Sequence, residues 1–166
     1  KMTIYEHFCG GEDLAETEPL VTALSGHGVS TILDYGVEAK ETQEEFDRNL
    51  EEQLRAIAYA HANASVPYVS CKVTGYAPFS LLEKLNDGQE LDPEEQAALA
   101  RLEQRLEKIC AAAASSDVAV YVDAEESWIQ EAIDSVVEGL MERWNREKPS
   151  VFTTVQLYRQ DRMAFL

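Results

Sequence analysis

The sequence predicts an α/β fold in which parallel strands alternate with helices. Short, β-branched apolar runs recur along the chain, and segments with helical spacing of apolar residues separate them. The apolar runs do not alternate strictly with polar residues, which is typical of strands that are buried on both faces. Strands joined by helical crossovers pair in parallel with right-handed connections. The chain is therefore expected to be a series of β/α units.

The predicted strands are short and rich in valine and tyrosine. They are Val29–Tyr35, Pro67–Val73, Val118–Val122 and Ser150–Leu157. Phe8–Gly11 is considered as an earlier, shorter strand. With that first strand, the chain would hold about five β/α units.

The predicted helices have clear start signals. Thr42 followed by Glu45 forms a capping box. Asp92 followed by Pro93 predicts a second helix start, with acidic residues in its first turn. The last helix is predicted over 126–145, with its apolar residues facing inward, including Trp128 and Trp144. A turn at 86–88 divides the connection before the third long strand into two helical pieces.

Two architectures agree with this order of elements. One is an open, doubly wound sheet, and the other is part of a (β/α)8 barrel. A complete barrel typically needs about 200 residues or more, and this chain has 166. Periodicity alone leaves both architectures open.

Composition restricts the function. The net charge of −17 makes nucleic acid an unfavourable partner, because such a surface repels phosphate. No apolar run approaches the roughly 20 residues of a membrane span, and no targeting segment is recognised at the N-terminus. The three cysteines are widely spaced, which argues against a zinc site and a disulfide scaffold. The three histidines have no ligand spacing, so no metal is expected.

Candidate functional residues lie where the predicted strands end, because parallel α/β sheets bind ligands at the carboxyl ends of their strands. These residues are Glu38, Lys72, Asp123 and Gln156, and Gln156 is predicted to lie within the last strand. Each has a structural alternative: Glu38 can be a surface residue, Lys72 can form an internal ion pair with Asp123 or Glu38, Asp123 can cap a helix, and Gln156 can bind backbone. No glycine-rich phosphate loop and no GxSxG motif occur in the sequence.

Five ordered blocks at these strand ends resemble the proline dehydrogenase family. They are FCGGE, ILDYGVEAKE, KVTGYAP, YVDAEESWIQ and VFTTVQLY. Their order matches that of the family, and they cover nearly the whole chain. The KVTG and DAEES blocks together make the resemblance specific.

The resemblance implies a distorted (β/α)8 barrel that binds FAD. Such enzymes oxidise L-proline to 1-pyrroline-5-carboxylate and pass the electrons to a quinone. By the resemblance, Lys72 lies in the proline site and Asp123 lies nearby, beside the flavin, so both are expected to be catalytic. Asp123, Ala124 and Gln156 match positions at the cofactor. Glu38 matches an acid that pairs with an arginine over the substrate.

The resemblance also implies parts that this sequence lacks. Family members continue through three more strands to a helix with an arginine pair, and no Arg-Arg pair occurs here. The 166 residues are therefore expected to be a partial barrel domain, inactive by itself, and the alternative is a non-catalytic half-barrel that self-associates. A barrel enzyme with Lys72 as a Schiff base is a third reading. The expected location is the cytoplasm or the inner-membrane periphery in bacteria, with peripheral membrane contact, or the mitochondrion in eukaryotes.

Overall fold

The computed structural model describes residues 9–36 and 40–166, which form one parallel sheet covered by helices. The sheet has four strands in the order β1-β2-β3-β4. The elements are α1 Leu14–Ser25, β1 Ile32–Asp34, α2 Gln43–Ala62, β2 Tyr68–Cys71, α3 Phe79–Asn86, α4 Pro93–Ser115, β3 Ala119–Val122, α5 Gln130–Trp144, β4 Val151–Thr153 and α6 Arg162–Phe165. A single 3-10 turn, Val73–Gly75, follows β2. No helix within the described ranges combines the length and apolarity that crossing a bilayer requires.

Local sequence explains where two long helices begin. The Thr42 side chain accepts from the Glu45 backbone, and the Glu45 side chain accepts in return, as the capping box predicts. Asp92 makes the same reciprocal arrangement with Glu95 at the start of α4. The predicted turn before α4 is also present, and Gly88 adopts a φ of +65° there, which favours glycine.

Helix α5 begins without a side-chain cap from its own preceding residue. Instead, Asn86 at the end of α3 accepts hydrogen bonds from the backbone N–H groups of Glu131 and Ala132 at 3.0 and 3.4 Å. These two donors belong to the first turn, which has no partners within the helix. The contact joins two helices that cover neighbouring parts of the sheet.

The sheet has one buried face. Leu33, Val69, Val120 and Val151 are paired across the four strands and pack with the helices in the hydrophobic core. The other face carries Tyr68, Tyr121 and Phe152, with Tyr121 and Phe152 stacked at 5.0 Å between ring centroids. These aromatic residues are only half-buried, and Ile32 beside them is 49% exposed. The prediction that both faces are buried is therefore wrong for this chain.

The strand order distinguishes the two predicted architectures. In a doubly wound sheet the strand order reverses at a switch point, and helices cover both faces. Here all three pairings are parallel and each strand lies beside the next strand in sequence. With right-handed crossovers, that order places the helices on one face, as in an arc of a (β/α)8 barrel.

Several predicted boundaries need correction. The fourth strand ends at Thr153, so Gln156 lies beyond it and not within it. The last long helix begins at Gln130 and not near 126, and Trp128 lies before it with 57% of its surface exposed. Within the suggested strand Phe8–Gly11, residues 9–11 are not in a strand, and Phe8 lies outside the described residues.

Candidate functional site

The carboxyl ends of the strands bring three of the predicted site residues to the same edge of the sheet. Lys72 directly follows β2, Asp123 directly follows β3, and Gln156 follows β4 after a short extension. Backbone pairing continues past the strands: the Asp123 N–H donates to Cys71 O at 2.9 Å, and the Thr154 N–H donates to Val122 O at 3.2 Å. The segments that bear these side chains therefore remain side by side after the strands end.

Lys72 forms an ion pair across the sheet with Asp34 at the end of β1. The Lys72 Nζ atom is 3.7 Å from Asp34 Oδ2, and the two side chains are 20% and 44% exposed. Sequence reasoning offered Asp123 or Glu38 as the ion-pair partner and overlooked Asp34. Glu38 lies outside the described residues, so both its ion pair with Lys72 and its role over the substrate stay predictions.

Asp123 is not a helix cap. Helix α5 begins only at Gln130, and the Asp123 carboxylate instead accepts a hydrogen bond of 2.8 Å from Ser70 Oγ on β2. Ser70 is paired with Tyr121 in the sheet and is buried. The hydroxyl therefore holds the carboxylate at the carboxyl ends of β2 and β3, which is the end of the strands where a barrel binds its ligand.

Glu125 connects the ends of three strands. Its carboxylate accepts from the Thr74 N–H at 3.1 Å and from the Thr74 hydroxyl in the turn after β2. Its own N–H donates to Gln130 Oε1, and its carbonyl accepts from Gln156 Nε2, each at 2.8 Å. Burial raises the pKa of the Glu125 carboxyl, and the hydrogen bonds from Thr74 partly offset this.

Gln156 has one side-chain atom engaged and one without a partner. Because Nε2 donates to a carbonyl, the amide orientation is fixed and Oε1 is left as an acceptor. Oε1 is buried and has no hydrogen-bond partner among residues 9–36 and 40–166. A buried, unpaired amide oxygen is costly, so this atom suits a ligand that donates an N–H.

A shallow cleft of about 360 Å³ opens at this edge of the sheet. It is lined by Lys72, Ala124, Glu125, Glu126, Ser127, Trp128 and Tyr158. The Ala124 N–H donates to Thr154 Oγ1 at 2.8 Å, which fixes the backbone at the cleft wall. A larger cavity of about 490 Å³ lies between the start of α1, the end of β1 and α2. It includes Asp34 but neither Lys72 nor Ala124, which both line the smaller cleft, so the smaller cleft is the better candidate.

Sequence reasoning missed the residues that hold the site together. These are Asp34, Ser70, Thr74, Glu125 and Thr154. Each lies in or next to a strand-end block, so the sequence indicated that it could lie near the site. Its hydrogen-bond or ion-pair partner could not be predicted, because that depends on strand register. Within the described ranges, no group of three or more His, Cys, Asp or Glu side chains is arranged to hold a metal ion.

Comparison with known proteins agrees with this geometry. The family model described as Proline dehydrogenase matches residues 18–166. The carbapenem antibiotics biosynthesis protein CarD of Pectobacterium carotovorum subsp. carotovorum is 31% identical over 96% of this chain and 42% of its own length. Proline dehydrogenase 1, mitochondrial, of Arabidopsis thaliana is 26% identical over 97% of this chain and 40% of its own length. The chain therefore spans about 40% of the length of these relatives.

Solved structures show the same fold. Proline utilization A (PutA) from Bdellovibrio bacteriovorus, inactivated by N-propargylglycine, superimposes with a TM-score of 0.72 at 17% identity, over 91% of this chain and 17% of its own. A bifunctional PutA protein gives a TM-score of 0.70 at 18% identity, over 93% of this chain and 16% of its own. The likeness in fold agrees with a barrel arc, and because the family model covers most of the sequence, this chain belongs to the proline dehydrogenase family.

Proposed function

We propose that the protein to which this chain belongs oxidises L-proline to 1-pyrroline-5-carboxylate with FAD as cofactor. The observation that carries this proposal is the convergence of Lys72, Asp123 and Gln156 at one edge of the sheet, in a member of this family. In the reaction, the substrate loses two electrons and two protons as its ring C–N bond becomes a C=N bond. FAD, when bound, supplies the two-electron acceptor, and the protein supplies position and field.

Lys72 is proposed to bind the proline carboxylate. An ammonium group can orient a carboxylate as a point charge, and Lys72 is partly buried at the cleft wall. Asp34 pairs with the ammonium group at 3.7 Å, which holds the cation at the ends of the strands. We propose that the proline carboxylate binds the same ammonium group.

Asp123, Ala124 and Gln156 are proposed to hold the cofactor. The unpaired Oε1 of Gln156 is an acceptor for a ring N–H, and Asp123 is fixed by Ser70 at the neighbouring strand end. The Ala124 backbone is held by Thr154, so it can form a rigid wall. A rigid wall and a fixed acceptor favour hydride transfer, because the reacting atoms must be held close and in line.

The electron acceptor is proposed to be a quinone, reached by peripheral membrane contact. For a eukaryotic source, we propose a mitochondrial location, since the Arabidopsis relative is named as mitochondrial. The experiment that tests the function is a proline assay on the whole protein. It should show flavin absorption bands that bleach when L-proline is added and return when a soluble ubiquinone analogue is added. A whole protein that binds no flavin contradicts the proposal.

A second candidate is a non-catalytic half-barrel that associates with another copy. The half-buried aromatic face of Tyr68, Tyr121 and Phe152 favours it, because an isolated protein rarely leaves a large apolar patch uncovered. Sedimentation and the proline assay on the 166-residue chain separate the two candidates. A monomer that turns over proline excludes the half-barrel reading.

A further inference from the structure

A buried polar chain extends from the candidate site into the helix layer. The Glu125 N–H donates to Gln130 Oε1 at 2.8 Å, and Gln130 Nε2 donates to Asp134 Oδ1 at 2.8 Å. The other carboxylate oxygen of Asp134 lies 2.7 Å from Arg162 Nη1 on α6. The three side chains beyond Glu125 are all buried, with Gln130 at 0%, Asp134 at 7% and Arg162 at 4% exposure.

The chemistry of the two ends fixes the direction of this chain. A backbone N–H can only donate, so it requires the oxygen of the Gln130 amide. An ionised carboxylate can only accept, so it requires the nitrogen of the same amide. Gln130 and Asp134 are four residues apart on α5 and therefore lie on the same side of the helix. The oxygen and the nitrogen of the Gln130 amide therefore each have a hydrogen-bond partner, and the two bonds together fix the orientation of the side chain.

Arg162 completes the chain by balancing the buried charge. Asp134 uses one oxygen for Gln130 and the other for the guanidinium group. The guanidinium carbon lies 3.9 Å from the centroid of the Phe165 ring. A buried carboxylate without a cation would be strongly disfavoured, so Arg162 keeps Asp134 available as an acceptor.

We propose that Gln130 and Asp134 are positioning residues, which hold the Glu125 backbone and thereby the preceding residues Asp123, at the end of β3, and Ala124, at the cleft. The Glu125 carbonyl is held separately by Gln156. The Gln130 link therefore fixes the N–H side of the same residue, and the turn after β3 cannot rotate while both bonds are in place. The kinetic consequence rests on the proposed function, but the structural consequence does not.

The test uses two double variants of the whole protein that differ from each other only in the side chain at position 134. Both carry Arg162→Met. One also carries Asp134→Asn, which still offers an oxygen to the Gln130 amide, and the other carries Asp134→Leu, which offers none. The measurement is amide hydrogen exchange at Glu125, well below the unfolding transition of both variants. We expect exchange to be at least about tenfold faster with Leu than in the unchanged protein, and within about threefold of it with Asn. Equal rates in the two variants overturn the proposal.

A third variant, Gln130→Met, provides the test if the double variants do not fold. Gln130→Met removes the link and leaves the ion pair between Asp134 and Arg162 in place, and the same acceleration of exchange at Glu125 is expected. An unchanged rate in Gln130→Met overturns the proposal. Flavin-loaded protein adds a kinetic measurement: kcat for proline should fall in the Leu variant more than KM changes, and the Asn variant should behave as the unchanged protein. If no variant and no unchanged protein oxidises proline, the proposed function fails while the exchange result still decides the positioning role.

Discussion

The side chain of Gln156 donates a 2.8 Å hydrogen bond to the carbonyl oxygen of Glu125, which lies 31 positions earlier in the sequence. This bond joins the segment after β4 to the turn after β3. It leaves Oε1 of the same amide buried and without a partner in the described part of the chain. Nε2 of this amide therefore has a structural role, and Oε1 is placed where it could accept a hydrogen bond from a ligand.

The first prediction concerns Gln156. Gln156→Leu removes both amide atoms, so flavin should bind more weakly, by about tenfold, which is the loss of one hydrogen bond from a buried site. The measurement is titration of the flavin-free whole protein with FAD, followed by fluorescence. As a control, Gln160→Leu changes a nearby exposed glutamine. Equal FAD affinity in Gln156→Leu and the unchanged protein would contradict the assignment.

The second prediction concerns the pH dependence of stability. Burial raises the pKa of the Glu125 carboxyl above its ordinary value of 4.5, so the folded protein holds this proton at a pH where the unfolded chain has lost it. The contribution of Glu125 to the free energy of unfolding should therefore fall as the pH rises from 4.5 through the raised pKa.

Glu125→Gln removes that titration. The difference in free energy of unfolding, unchanged protein minus variant, should decrease with rising pH across this window, as measured by urea unfolding at a series of pH values. Glu126→Gln is the matched control, because Glu126 is adjacent and exposed. A difference that increases with pH for Glu125→Gln would show that the Thr74 hydrogen bonds outweigh burial.

The third prediction concerns a buried arginine in the helix layer. Arg105 is 5% exposed, and it donates to Asp47 and Gln43 on α2 and to the carbonyl oxygen of Tyr76. Arg105→Met leaves that buried carbonyl without this donor, so the free energy of unfolding should fall by about 2 kcal/mol. Arg101→Met is the control, since Arg101 contacts only the shared Gln43 oxygen among the hydrogen bonds found in the described ranges. Equal losses in the two variants, measured by urea unfolding, would contradict this.

The fourth prediction concerns the start of α4. The Asp92 carboxylate accepts from the N–H groups of Glu94 and Glu95, each at 2.9 Å. Asp92→Ala should lower the free energy of unfolding by about 1 kcal/mol, because it leaves two helix-end donors to water alone. Asp87→Ala, at the exposed end of α3, should change it by less than about 0.5 kcal/mol. Thermal unfolding of both variants compares them, and the reverse order would count against the capping box.

Some features could be predicted from sequence because they depend on neighbouring residues. The capping box at Thr42 and the helix start at Asp92 depend only on residues within one turn of each other, and both are present. The convergence of Lys72 and Asp123 follows from parallel strands that end at one edge. Other features depend on register and length. The pairing of Lys72 with Asp34 requires knowledge of which residues lie side by side across two strands.

The sequence also did not indicate that α5 begins only at Gln130 or that β4 already ends at Thr153. Trp128 is apolar and fits a helical pattern, but the turn after β3 is held by hydrogen bonds of Glu125, and the chain enters the helix only at Gln130. The run 150–157 is longer than the strand: β4 pairs with β3 over Val151–Thr153 and ends there. Tertiary contacts decided both boundaries.

We propose that the strand ends form a proline site in which Lys72 is the cation that binds the substrate carboxylate. The most direct test is steady-state proline oxidation by the whole protein with Lys72→Met. Its matched control is Lys148→Met, which removes an exposed lysine paired with Asp117, before β3 at the opposite edge of the sheet. We expect kcat/KM for L-proline to fall about 30-fold or more in Lys72→Met, from the loss of one charge-assisted contact, with FAD content unchanged, and to stay the same in Lys148→Met. A Lys72→Met variant that binds FAD and keeps the unchanged kcat/KM would contradict the claim.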